Sequence, residues 1–175
     1  MRGSTSSAGE LARYYGVSTE CDRIADQLYR GVEGDAWHGP PVRALLADVT
    51  AEVAAARPIA GSHSIWELVL HMTAWSDIAR RRLAGEVVEV TPAEDWPAVG
   101  VVSAGAWGDA VAAVERSHGE LRRAALALGD AHLDDRTPGK PHTLYVLLHG
   151  IVQHTLYHAG QIALLKRAVG GGSGG

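Results

Sequence analysis

Residues 144–168 read LYVLLHGIVQHTLYHAGQIALLKRA, and apolar side chains return there every three or four positions. The stripe defined by this spacing is Leu147, Ile151, His154, His158, Ile162 and Leu165. A repeat of this period predicts an amphipathic helix whose apolar side faces a protein core. Two positions on that side carry histidine where leucine is expected, and they lie one helical turn apart.

The same period predicts three more long helices, over residues 18–32, 64–83 and 103–128. The second of them begins with a capping-box pattern, in which Ser64 is the N-cap and Glu67 follows three positions later. The stretch 34–61 is broken by Gly39-Pro40-Pro41 and leaves room only for short helices such as 42–46 and 51–56. No alternating run predicts a sheet, so the expected fold class is all-α.

The connector 85–102 separates the second and third long helices and contains two prolines. Eighteen residues reach about 60 Å when extended, whereas a helix of 20 residues is about 30 Å long. The connector is therefore long enough to cross a whole bundle, which permits the two helices that it joins to run parallel. An antiparallel four-helix bundle with one long crossover is the most economical interpretation.

A third histidine shares the inward direction of the pair. His71 lies between Leu68 and Trp75, at spacings of three and four residues. Imidazoles in an apolar core are costly without a partner, at about 1–3 kcal/mol for each unsatisfied polar group. A divalent metal would satisfy three of them and leave an open position, as catalytic sites do. Core histidines hydrogen-bonded within the protein are the alternative that the spacing leaves open.

Composition limits the partners and the compartment. The chain has 175 residues, 16 Lys and Arg against 20 Asp and Glu, a net charge of −4, and nine histidines. This balance argues against a nucleic-acid partner, and no apolar run is long enough for a membrane span. The single cysteine, Cys21, forms no internal disulfide, and we expect a cytoplasmic protein. Residues 1–17 are expected to be a leader, partly tag-like, and 169–175 a Gly/Ser tail, which leaves one domain over 18–168.

Other histidine and arginine motifs are weaker. The segment His154-Thr-Leu-Tyr-His158 lacks the glutamate that follows the first histidine of the zinc-protease helix, and Glu115-x-x-His118 is a single copy of a motif that di-iron bundles need twice. His118 lies between Val114 and Leu121 on the helix stripe and is expected at the edge of the core, a metal ligand being the alternative. The run Arg80-Arg81-Arg82 is expected in solvent at a helix C-terminus, a clamp for an anionic substrate being the alternative.

Three segments together resemble the DinB/YfiT-like superfamily of metalloenzymes. They are Trp37-His38-Gly39-Pro40, His63-Ser64-Ile65-Trp66-Glu67 leading to His71, and His154-Thr-Leu-Tyr-His158-Ala-Gly-Gln161-Ile162. The resemblance covers about residues 18–168. It implies a four-helix bundle of up-down-down-up order. It also implies a divalent metal, Zn²⁺ or Ni²⁺, held by His71, His154 and His158.

The resemblance further implies a choice of chemistries. The first expectation is a thiol S-transferase, in which a low-molecular-weight thiol becomes a metal-bound thiolate and attacks an electrophilic small molecule. The alternatives are a hydrolase that uses metal-bound hydroxide and a metal-binding or stress-response bundle without turnover. Leu148, Val152, Leu156 and Leu164 suggest a second buried face on the last helix, and dimers are common in the superfamily, so a homodimer is expected.

Six further residues are candidates for the surroundings of the metal. Glu67 is expected to serve the capping box, and Gln161, three residues after His158, can orient a ligand or pack on the helix face. Trp75 and Tyr157 can line a pocket, with core packing as the alternative. His63 and His38 belong to the family pattern and are expected to be structural or to support the metal ligands from outside.

Overall fold

The computed structural model describes residues 18–171, in which the chain is helical and forms no β-strand beyond isolated bridge pairs. In chain order the α-helices are α1 (Glu20–Val32), α2 (Val42–Leu46), α3 (Ala51–Ala55), α4 (Ile65–Leu83), α5 (Pro92–Asp95), α6 (Ala104–Leu128) and α7 (Leu144–Gly171). The predicted all-α class is confirmed for this part of the chain. The predicted leader, residues 1–17, and residues 172–175 of the predicted tail lie outside the described range.

Hydroxyl side chains fix where the helices begin. The predicted capping box of α4 is present, since the Ser64 hydroxyl accepts a hydrogen bond from the Glu67 amide and the Glu67 carboxylate accepts one from the Ser64 amide. Thr91 and Glu94 form the same box at the start of α5. Each box satisfies two of the amides that a helix N-terminus leaves free.

Two features of the helices differ from the sequence-based expectation. The connector between α4 and α6 contains α5, a helix of one turn that is too short to give a periodic signal. The last helix continues to Gly171, three residues into the predicted tail, because backbone hydrogen bonding propagates beyond residues of low helix propensity.

The buried apolar side chains form two clusters at opposite ends of the long helices. The first core cluster joins the end of α1 with the beginnings of α4 and α6 and the end of α7: Val32, Ile65, Leu68, Trp107, Val114, Ile162 and Leu165 are among its members. The second core cluster joins the beginning of α1 with the ends of α4 and α6 and the beginning of α7: Cys21, Ile24, Ala79, Leu121, Ala125, Leu144 and Leu148 are among its members. Helices α1 and α4 each pack against both α6 and α7.

The apolar residues of α7 outside its inward stripe mostly serve this same core. Leu148 and Val152 are buried in the second core cluster, and Leu156 packs against it. Leu164 is exposed. Most of the pattern that suggested a second buried face is thus explained by the packing of α7 against its own chain. Among the described helices, none combines the length and the apolar character that crossing a membrane requires.

Candidate metal centre

Three histidines from two packed helices meet between the two core clusters. His71 lies in the middle of α4, and its orientation follows from the capping box that sets where this helix begins. His154 and His158 lie one turn apart on α7, which packs against α4. The structure thus brings together all three residues that the sequence predicted as metal ligands.

The ring nitrogens of these histidines converge. The Nε2 atom of His154 lies 2.9 Å from that of His71 and 3.0 Å from that of His158. His71 and His158 are buried, and His154 is half-buried. One ligand atom from each residue lies within 4.8 Å of the other two. Nitrogens that bind one Zn²⁺ at about 2.0–2.1 Å are at most about 4 Å apart, so the Nε2 separations suit a shared cation.

Hydrogen bonds at the far side of two rings fix their tautomers. His71 Nδ1 donates to the backbone carbonyl of Asp95 at 2.6 Å, and His158 Nδ1 donates to the side-chain oxygen of Gln161, also at 2.6 Å. Since both acceptors are oxygens without a proton, each Nδ1 carries the hydrogen and each Nε2 keeps a lone pair. Gln161 is held in turn, because its amide nitrogen donates to the Tyr157 hydroxyl at 3.3 Å.

Burial keeps the three rings neutral. It lowers the pKa of His154 to about 3, with the charges that His158 and His71 would carry acting in the same direction. Burial also lowers the pKa of His71 and of His158. A proton on His154 Nε2 can satisfy only one neighbouring lone pair at a time, whereas a divalent cation satisfies all three. The donor set therefore fits a metal ion.

The connector between α4 and α6 supplies two residues that the sequence analysis missed. The Trp96 ring is stacked between His71 and His63, with centroid distances of 3.8 and 3.6 Å and interplanar angles of 5°. The Asp95 carboxylate accepts a hydrogen bond from Trp75 Nε1 at 2.7 Å and lies 3.3 Å from His71 Nδ1. The Thr91-Pro92-Ala93-Glu94 capping signal was available in the sequence, and it marks the helix that carries both residues to the site.

The other predicted neighbours differ in their distance from the cluster. Glu67 serves the capping box and also pairs with Arg57. His63 is exposed, stacks on Trp96 and lies 3.8 Å from Glu67. The Tyr157 ring is exposed, 5.2 Å from the His158 ring. His38 is exposed in the loop between α1 and α2, and no contact of the three histidines includes it.

A cavity of about 690 Å³ opens onto the histidines. His71 and His154 form part of its wall, together with Trp75 and Asp95. The rest of its lining comes from the end of α4, the connector between α4 and α6, the loop before α7 and the beginning of α7: Arg82, Glu89, Val90, Lys140, His142, Val146, Leu147, Gly150 and Ile151. Its volume lies in the range of small-molecule sites, which is about 300–1,000 Å³.

A fourth buried histidine lies outside the cluster. His118 is 3% exposed, deeper than the expected place at the edge of the core. Its ring nitrogens lie within hydrogen-bond distance of the Val114 carbonyl and of the hydroxyls of Ser76 and Thr155. Burial lowers its pKa to about 4. His118 is thus satisfied by protein atoms, and the converging set of His71, His154 and His158 does not include it.

Comparison with known proteins identifies one family. The model of the DinB superfamily matches residues 40–162, which include all three clustered histidines and the whole connector between α4 and α6. Neither a curated protein nor a solved structure matches the chain.

Proposed function

The chain belongs to the DinB superfamily, and from this premise and the histidine geometry we propose that it is a divalent-metal-dependent enzyme, a thiol S-transferase acting on an electrophilic small molecule. The observation that carries the proposal is the convergence of three neutral imidazoles, at Nε2 separations of 2.9 and 3.0 Å, beside a cavity of about 690 Å³. The ligand set suits Zn²⁺ or Ni²⁺.

A divalent cation held by three neutral ligands keeps its full charge and lowers the pKa of a thiol that coordinates it, which makes a thiolate available near neutral pH. The chain's own residues supply position and enclosure. Asp95 and Gln161 hold the Nδ1 hydrogens of His71 and His158, so both Nε2 lone pairs stay directed at the shared centre. Trp96 restrains the His71 ring by stacking, and Trp75 closes one side of the cavity.

The state of the nearby carboxylates favours thiol chemistry over hydrolysis. Water is a weaker acid than a thiol, and hydrolytic sites commonly add a carboxylate general base. In the described part of the chain, three carboxylates at the cavity or beside it are already engaged: Asp95 accepts from Trp75, Glu67 is bonded to Ser64 and Arg57, and Glu89 lies 3.7 Å from the Lys140 ammonium. A thiol needs no such base, since its own proton can pass to solvent.

In the proposed transfer, the thiol sulfur forms a bond to the electrophilic carbon and the leaving group departs with its bonding electrons. The thiol proton is released to solvent, so no oxidant or reductant is required. The apolar wall of the cavity suits the carbon skeleton of the electrophile, and the open end admits both reactants.

For the fold we propose the up-down-down-up order, with α1, α4, α6 and α7 as the four members of the bundle. The two core clusters support it. In the second core cluster, the beginnings of α1 and α7 meet the ends of α4 and α6. In the first core cluster, the ends of α1 and α7 meet the beginnings of α4 and α6. The two middle helices then run parallel to each other, and the connector 85–102 is the crossover.

The test is a panel of thiols assayed with monochlorobimane on protein reconstituted with Zn²⁺ or Ni²⁺. We expect a thiol-dependent rate that a chelator removes and that restored metal recovers. His154→Ala should lack this rate, whereas His149→Ala, on the same helix but outside the cluster, should keep it. Absence of any thiol-dependent rate in the metal-loaded protein would contradict the transferase, and ester hydrolysis without thiol would then favour the hydrolase.

A further inference from the structure

Three consecutive arginines end α4, and the third differs from the other two. Arg80 and Arg81 are half-exposed, and each lies within ion-pair distance of a carboxylate, from Glu120 and Glu86 respectively. The Arg82 side chain is only 4% exposed. The expectation that the whole run faces solvent is therefore wrong for Arg82, which turns into the protein.

Arg82 is buried without a matching anion. One of its terminal nitrogens donates to the Val88 carbonyl at 3.1 Å, and its Nε has no hydrogen-bond partner. Within residues 18–171, no carboxylate lies within 4.0 Å of its guanidinium, which lies 5.8 Å from the centre of the Trp75 ring. A guanidinium stays charged in proteins, and a buried charge without a partner is costly.

Arg82 also lines the cavity that opens onto His71 and His154. Lys140 lies on the same wall, and its ammonium is 3.7 Å from the Glu89 carboxylate, whose side chain is 80% exposed. Two cations thus face one solvated carboxylate at this side of the cavity. Asp95 lines the cavity as well, but its carboxylate is bonded to Trp75.

We propose that Arg82, with Lys140 beside it, binds an anionic oxygen group such as a carboxylate on the small molecule that enters the cavity. The planar guanidinium fork matches a carboxylate, and burial strengthens the attraction. Four apolar side chains in the lining of the same cavity fit a hydrocarbon body: Val90, Val146, Leu147 and Ile151. The proposed ligand is therefore an organic acid with an apolar body. Only the placement of the end opposite its carboxylate, at the histidines, rests on the proposed function.

The experiment compares two ligands of nearly equal shape, naphthalene-2-carboxylate and its uncharged amide, naphthalene-2-carboxamide. Binding of each is measured by isothermal titration calorimetry, on metal-free protein and on protein loaded with Zn²⁺. We expect the carboxylate to bind about tenfold more tightly than the amide or better, since charge-assisted hydrogen bonds are about twice as strong as neutral ones. The preference should be present in both forms, because it depends on the Arg82 guanidinium, which is charged with or without the metal.

Variants assign the preference to its residue. Arg82→Gln should bring the ratio of the two affinities close to one, whereas Arg81→Gln, one position earlier and paired with Glu86, should leave it unchanged. Glu89→Gln removes the competing carboxylate and should increase the preference for the carboxylate. Because Glu89 is exposed, this variant keeps the test decisive if Arg82→Gln does not fold.

Several results would overturn the inference: equal affinity for the two ligands, no binding of either, or a preference that survives Arg82→Gln. In Glu89→Gln, a preference that is unchanged or reduced would do the same. Failure of the proposed function looks different. If no thiol is transferred but metal-free protein still prefers the carboxylate and loses that preference in Arg82→Gln, the anion site stands and the transferase does not.

Discussion

The buried histidines of the described helices find hydrogen-bond partners in two opposite ways. His118 on α6 is surrounded by protein partners, with the Val114 carbonyl and the hydroxyls of Ser76 and Thr155 at 3.0–3.2 Å. The rings of His71, His154 and His158 direct their Nε2 atoms at one another instead, at 2.9 and 3.0 Å. Burial lowers the pKa in both groups. What distinguishes a structural histidine from a ligand here is the completeness of its hydrogen bonding.

The difference separates two interpretations that the sequence spacing left open. A core histidine needs partners for both ring nitrogens, and the hydroxyls around His118 provide them without help from outside the chain. In the cluster, protein oxygens satisfy only the Nδ1 atoms of His71 and His158. The chain thus leaves a set of lone pairs for which a cation is the matching partner.

The largest expected effect on Zn²⁺ affinity comes from removing one of the three clustered histidines, and it should be absent when His118 is replaced. His154→Ala should reduce Zn²⁺ affinity by more than about a hundredfold, because even the loss of an outer-sphere partner costs about 10–100-fold. His118→Leu should keep the affinity of the parent protein. Competition with a chromophoric chelator measures both. Equal affinity in His154→Ala and the parent would remove the distinction between the groups.

The pH dependence of folding should report on His118. Its pKa is about 4 in the folded protein and near 6.5 when unfolded, so the unfolded chain binds more protons between these values. The stability due to neutral His118 is complete above pH 6.5 and is lost as the pH falls towards 4, by about 3 kcal/mol in total. Urea unfolding across this range should show a shallower pH dependence in His118→Leu than in the parent.

The matched control for that measurement is His38→Ala, which removes an exposed histidine from the loop between α1 and α2. It should retain the pH dependence of the parent. If His118→Leu and the parent have parallel stability profiles, the account of His118 as a neutral core residue is wrong.

A smaller loss of Zn²⁺ affinity is expected when the side-chain amide of Gln161, which orients His158, is removed. Gln161→Leu removes the acceptor of the His158 Nδ1 hydrogen and should weaken Zn²⁺ binding by about 10–100-fold. Gln161→Glu keeps an oxygen at this position and should recover most of the affinity. The same chelator competition checks this. If the leucine variant binds like the parent, the fixed tautomer of His158 does not matter for the site.

The smallest loss of Zn²⁺ affinity is expected from substitutions of Asp95. The group of Asp95 that holds His71 is its backbone carbonyl, which every substitution keeps. Asp95→Ala removes the carboxylate bonded to Trp75 and should weaken Zn²⁺ binding less than Gln161→Leu does. Asp95→Asn, which keeps an acceptor for Trp75, should lie closer to the parent. A loss in Asp95→Ala as large as that in His154→Ala would make the carboxylate a ligand and contradict the geometry.

The sequence predicted the residues whose direction depends on helical period. His71, His154 and His158 lie on apolar stripes, and a stripe buried in a helix-rich chain faces the core. Asp95 and Trp96 were missed because they reach the site through the connector between α4 and α6, whose path depends on tertiary packing and has no periodic signal. Their one-turn helix is marked only by its capping residues.

Arg82 shows a second limit of sequence reasoning. A run of three arginines at a helix end predicts solvation for all of them, yet successive residues on a helix are about 100° apart in direction. The third arginine therefore faces the core side of α4 while Arg81 pairs with Glu86 outside. Only the contacts of the folded chain distinguish a solvated arginine from one enclosed beside a cavity.

X-ray absorption spectroscopy of untagged protein loaded with one equivalent of Zn²⁺ tests the central claim most directly. We expect one ion per chain with three imidazole nitrogens at about 2.0–2.1 Å and one further oxygen or nitrogen ligand, and we expect sulfur to replace that ligand on addition of thiol. Fewer than three imidazoles in the metal's coordination shell, or a spectrum unchanged by His154→Ala, would contradict the claim.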